Sequence, residues 1–142
     1  MVYTTCGNIL LEQVKSFRYL GSIITDTYDC RTQIAAKLGM ARSTAKSLTS
    51  LWKDHSLNLQ LKSRLMQTLV WSLATYGCES WTINAADHNR LNAFEMDMYR
   101  RMMRISWTEH RTNNSILEEL EPARRFVAEV KRRKLQYFGR VV

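Results

Sequence analysis

The chain has 142 residues, 45% of them apolar, enough for one domain with a modest core. Its net charge of +8 is spread along the chain rather than gathered in a tail, which favours a long polyanion as partner. No apolar run is long enough to span a bilayer and no signal peptide is visible, so no membrane role is expected. Cys6, Cys30 and Cys78 are odd in number and far apart, as in reduced thiols of an intracellular protein, nuclear or cytoplasmic. With His55, His88 and His110 they make no zinc spacing, so no metal is expected.

Tyr3–Thr5 and Ile9–Leu11 flank Cys6-Gly7-Asn8, two β-prone runs around a turn, which predicts a hairpin. Val14–Thr25 alternates Phe17 and Tyr19 with Arg18 and Leu20, and predicts a third strand bent or bulged at Gly21. Asp26–Asp29 reads as a polar turn, with Asp29 as the cap of a helix running to about Lys53. Its apolar stripe is Ile34, Leu38, Ala41, Ala45, Leu48 and Trp52. At roughly 100° per residue, Arg31, Arg42, Lys46 and Lys53 fall within about 60° of one another beside that stripe. A solvated face and a row of phosphate contacts both fit such a stripe. Ser43, Thr44, Ser47 and Ser50 leave the remaining face low enough for another backbone to approach.

The longest periodic stretch follows Asn58, a natural N-cap, and stops at Gly77. Leu61, Leu65, Leu69, Leu73 and Tyr76 define its stripe, Met66 and Val70 widen it, and Lys62 inside the arc has to snorkel out. Asn84 with Asp87 opens a helix to about Arg104, with Leu91, Phe94, Met98, Met102 and Ile105 inward. Arg100, Arg101 and Arg104 in its last turns suit the helix dipole or a phosphate. Ile105-Ser106-Trp107 reads as extended, Thr112–Leu120 as a short helix, and Pro122 as the first turn of a last helix to about Gly139. Phe126, Val127, Val130, Tyr137 and Phe138 form its apolar side, its aromatics read as core, while Arg133 and Lys134 interrupt that side.

No phosphate-binding glycine loop, nucleophile elbow or His-Glu-x-x-His is present. Glu95 and Asp97 sit two apart on a predicted helix, on different faces, and hold no metal pair. The residues thus describe a mainly α (α+β) chain, a bundle of four to five helices with a small N-terminal antiparallel β-sheet, without catalytic residues or cofactor.

Phe17-Arg18-Tyr19-Leu20-Gly21 resembles the Phe-x-Tyr-Leu-Gly strand that ends the palm of reverse transcriptases from non-LTR retrotransposons. Tyr76-Gly77-Cys78-Glu79-Ser80-Trp81 is similar to that family's Tyr-Gly-x-Glu-x-Trp, and Arg104-Ile105-Ser106-Trp107 to its Arg-Ile-x-Trp. Asn114–Leu117 and Leu135-Gln136-Tyr137-Phe138-Gly139 resemble the segment beyond, in the same order. The resemblance implies palm-end strands of primer-grip type over 1–27, thumb-like helices over 28–83 and a helical connection over 84–142. It implies contacts to an RNA or DNA template–primer duplex from Phe17, Arg18, Tyr19, Leu20 and Gly21. The stripe Arg31, Arg42, Lys46 and Lys53 then lies on the thumb helix that meets the duplex. The family's Tyr-x-Asp-Asp motif is missing, so this chain is expected not to polymerise unless an upstream catalytic portion accompanies it. Gln136, Tyr137 and Arg140 depart from the family's Leu-x-Trp-Phe-Gly-His. The bare end at Val142 reads as a fragment boundary. A stand-alone nucleic-acid-binding protein, a protein–protein module and a decayed retroelement fragment remain open beside that reading.

Overall fold

The computed structural model describes residues 3–20, 22–25, 30–122 and 124–141. β1 (Tyr3–Cys6) and β2 (Ile9–Glu12) form the expected hairpin, with Cys6 opposite Ile9. Gly7 takes φ +63°, the left-handed conformation that a two-residue hairpin turn needs. The single strand expected over Val14–Thr25 is a second hairpin instead. β3 (Ser16–Tyr19) pairs with β4 (Ser22–Thr25), Tyr19 opposite Ser22. Leu20 takes φ +49° in the turn, and Gly21, read as a bulge, lies outside the described residues. A two-residue turn leaves the period-two alternation intact on both sides, so alternation does not separate a bent strand from a tight hairpin. The hairpins are two separate sheets, and residues 5–20 are exposed throughout.

α1 (Arg31–Ser47) buries Ile34, Leu38, Ala41 and Ala45 as its spacing predicts. Cys30 precedes it without a side-chain cap, and Asp26 and the expected cap Asp29 lie outside the described residues. The helix does not run unbroken to Lys53. It breaks at Leu48, and α2 (Thr49–Lys53) follows. Around the break Thr44, Ser47 and Thr49 turn their hydroxyls onto the carbonyls of Met40, Thr44 and Lys46. Such back-bonding competes with helix continuation. Trp52 fastens α2 back on α1, donating Nε1 to the Ala45 carbonyl at 2.9 Å.

The central helix starts as expected, Asn58 Oδ1 accepting from Leu61 N at 2.8 Å. It comprises α3 (Leu59–Leu65), a π-helical turn (Met66–Trp71) and α4 (Ser72–Thr75). Gly77 at φ +76° ends it. The π turn carries more than 3.6 residues per turn and so moves the buried stripe round the helix. Met66 and Val70 are buried as read, but the rest of the predicted stripe is corrected: from the π turn onward Leu69 and Tyr76 are exposed while Trp71, Ala74 and Thr75 face the core, and Leu61 ahead of it is exposed too. Lys62 does not snorkel to water, because its Nζ donates to the Trp52 carbonyl at 2.8 Å and closes the end of α2.

α5 (Ala85–Met103) opens on a reciprocal cap between Asn84 and Asp87, and Arg104 ends it in the left-handed region at φ 58°. Trp107 is not extended but begins a 3-10 turn, Trp107–Glu109. α6 (Asn113–Leu120) is capped by Thr112. α7 (Phe126–Val141) begins four residues after Pro122 rather than at it. The cause is Glu95, which accepts from the Phe126 backbone N–H at 3.1 Å and fixes where the first turn starts. Tyr137 and Phe138, read as core, are exposed with Leu135, since the buried part of α7 ends at Val130. Residues from Ile34 to Val130 share one hydrophobic core. At its centre Trp71 and Phe94 each lie 5.2 Å from the Phe126 ring.

Candidate nucleic-acid interface

The outward half of α1 follows from its sequence. The buried residues Gln33, Ile34, Lys37, Leu38, Ala41 and Ala45 occupy one arc, and the opposite arc is left to solvent. At roughly 100° per residue, Arg31, Arg42 and Lys46 lie along the edge beside the buried stripe. Gly39, Ser43, Ala36 and Ser47 come next around the helix, all exposed. A Cβ placed at Gly39 would meet nothing within 4 Å. The glycine thus weakens the helix by about 1 kcal/mol with no packing inside the chain to require it.

Structure separates three cations of this stripe. Lys46 is exposed on α1, while Lys53 is exposed on α2 past the break at Leu48. Arg42 leans toward α5, its Nε 3.6 Å from Asp97 Oδ2 and its guanidinium 5.5 Å from the Phe94 ring centre. That ion pair is half exposed on both sides, and such pairs contribute little, so a phosphate could replace Asp97 at small cost. Lys37, unremarked in sequence, is buried with its Nζ 4.8 Å above the Tyr76 ring. Its place in the apolar arc of α1, at the spacing of Ile34 and Ala41, was the available signal.

Phe17, Arg18, Tyr19 and Leu20 are exposed on the second hairpin, and Gly21 lies outside the described residues. The Tyr76–Trp81 block turns the chain. Gly77 stops the helix, Cys78 and Trp81 enter the core, and Lys134 of α7 donates to the Trp81 carbonyl. Burial pushes the Cys78 thiol up to about 11. Burial beside Glu95 likewise pushes the Tyr99 hydroxyl well above its usual range.

The arginines after Met98 divide by what they hold. Arg100 donates to the Arg111 carbonyl at 2.8 Å and to Asn113 Oδ1 at 2.9 Å, which ties the α5–α6 connection to α5. Arg132, Arg124 and Arg133 all bond the Glu129 carboxylate and draw it down to about 2. Arg101 and Arg104 are exposed, without an acceptor among the described residues. Among the described residues no group of three or more His, Cys, Asp and Glu side chains could hold a metal. None of the described helices is long and apolar enough to cross a membrane.

A protein of Caenorhabditis elegans, described as an uncharacterized transposon-derived protein, is 24% identical over 144 residues. The match covers 92% of this chain and 48% of that protein, so the chain spans about half the length of the curated relative. The similarity connects the chain with transposon-derived sequence. No protein-family profile and no solved structure matches it.

Proposed function

We propose that the chain is a non-catalytic, thumb-like part of a reverse transcriptase-like protein, which holds a template–primer duplex for an upstream catalytic portion. In this reading residues 1–27 supply primer-grip strands, 28–83 the thumb, and 84–142 the connection. The observation that carries it is the exposed half of α1, where Arg31, Arg42 and Lys46 border a low surface of Gly39, Ser43, Ala36 and Ser47. Cations on the rim of a flat helical face suit a polyanion backbone, and phosphate contacts need no sequence-specific partner. The likeness to a transposon-derived protein and the Phe17–Gly21 resemblance support the assignment.

The test is duplex binding followed by fluorescence anisotropy across a salt series. Arg42→Gln with Lys46→Gln should flatten the slope of log affinity against log salt by about 1.8 for a B-form duplex. Gly39→Leu should raise thermal stability through helix propensity and still weaken duplex binding by blocking approach. A slope unchanged by the double substitution refutes the assignment.

One observation favours a second reading, a protein–protein module. Ile9, Leu10, Leu11, Val14, Phe17, Tyr19, Leu20 and Ile24 are all exposed on the hairpins, an unusual amount of uncovered apolar surface for such short sheets. Binding through that surface should be insensitive to salt, which separates the two readings.

A further inference from the structure

We infer that the connection between α5 and α6 is a seat for an unpaired base of single-stranded nucleic acid, stacked on Trp107 and flanked by phosphates on Arg101 and Arg104. The inference rests on the nucleic-acid reading above but on a different surface. Trp107 is 82% exposed, the most exposed large apolar side chain among the described residues. It stands at the mouth of a cavity of about 590 Å³ lined by Arg101, Arg104, His110 and Arg111.

The exposure is built in. Arg104 and His110 both take left-handed backbone, φ 58° and φ 51°, a conformation non-glycine residues rarely adopt. Between them Ser106 and Glu109 cap each other reciprocally, Glu109 Oε1 accepting from Ser106 N at 3.3 Å. Arg100 pins the far side of the turn through the Arg111 carbonyl, and Arg111 is itself anchored to Glu119 at 2.6 Å. The indole is therefore held out on an ordered turn rather than carried on a loose loop.

The chemistry of the walls selects the ligand. Four arginines line the cavity against one carboxylate, Asp97. Arg100 spends its bonds on neutral acceptors and keeps its charge uncompensated. A cationic wall beside an exposed aromatic plane suits a phosphate chain with bases to stack, and stacking on an indole tolerates any base. Position adds a second argument. Asp97 lines this cavity and is the partner of Arg42 on α1, so the seat adjoins the basic edge proposed for the duplex. A strand leaving the duplex would reach Trp107 next.

The experiment uses the full chain with three DNA probes: a blunt duplex, the same duplex with a thymidine overhang, and one with an abasic overhang. The wild type should bind the thymidine overhang on the order of tenfold more tightly than the blunt duplex and should lose that gain with the abasic overhang. Trp107→Ala should abolish the gain, leave blunt-duplex binding and thermal stability unchanged, and be largely rescued by Trp107→Phe. Arg101→Gln with Arg104→Gln should lower the overhang gain and its salt dependence. An overhang gain that survives Trp107→Ala overturns the inference. If Arg42→Gln/Lys46→Gln still flattens the blunt-duplex salt slope, the duplex reading stands while the base seat falls. If single-stranded thymidine quenches Trp107 fluorescence without any duplex binding, the seat stands while the duplex reading falls. Absence of both responses overturns both.

Discussion

Glu95 ties α5 to the start of α7. It is wholly buried on α5 and accepts from the Tyr99 hydroxyl at 3.2 Å, Arg125 Nε at 2.9 Å and Phe126 N at 3.1 Å. The last of these is an amide of the first turn of α7, a donor with no partner inside its own helix. The carboxylate thus caps α7 from another element and places its negative charge at the positive end of the α7 dipole. Glu95→Ala orphans two buried donors, those of Tyr99 and Phe126, at about 1–3 kcal/mol each, and leaves a void. Arg125 is half exposed and can turn to water, so its loss adds little. The total is about 4 kcal/mol, a large share of a typical domain stability. Glu95→Gln can keep Oε1 as acceptor for Tyr99 and Phe126 and turns its amide only toward the half-exposed Arg125, so it should cost about 1 kcal/mol, well below Glu95→Ala. Urea unfolding followed by far-ultraviolet circular dichroism measures both. If Glu95→Ala costs less than about 1 kcal/mol, the two buried donors are not orphaned and the capping argument fails.

Two further outcomes follow from titrating groups. Cys78 is buried with its thiol pushed up to about 11, so a maleimide at neutral pH should label exposed Cys6 quickly and Cys78 only on unfolding; equal rates would contradict the packing of that turn. Arg132, Arg124 and Arg133 hold Glu129 down to about 2, below its ordinary 4.5, so the stability it contributes is complete above about pH 4.5 and is lost as pH falls toward 2. Glu129→Gln should make unfolding less dependent on pH across that window, and an identical pH profile in wild type and variant would rule this out.

Helix starts were legible because caps are local. Asn58, Asn84 and Thr112 each bond the amide three residues ahead, a spacing the sequence shows directly. What changed helical phase was less visible. No single residue announces the π turn at Met66–Trp71, yet it decides that Trp71 rather than Leu69 meets Phe126. The break at Leu48 had a signal in Thr44, Ser47 and Thr49, hydroxyl residues clustered around it. The start of α7 had none nearby, since Glu95, which fixes it, lies 31 residues upstream.

The candidate surface was legible to the same extent. Periodicity alone places Arg31, Arg42 and Lys46 beside the stripe of α1, and they stand there. Periodicity treats all arginines alike, however, and folding does not. Arg100, Arg111, Arg124, Arg125, Arg132 and Arg133 are spent on carboxylates, carbonyls and amide oxygens within the chain. Lys46, Arg101 and Arg104 have no acceptor among the described residues, and Arg42 has one that solvent screens. Uncompensated cations thus stand on both α1 and the end of α5, which the Arg42–Asp97 pair brings together. The Arg42–Asp97 pair joins residues 55 positions apart, so neither segment's own pattern contains that neighbourhood. The turn that lifts Trp107 into the same region depends on left-handed backbone at Arg104 and His110; histidine is enriched in that region, but nothing in the residue type announces it at Arg104.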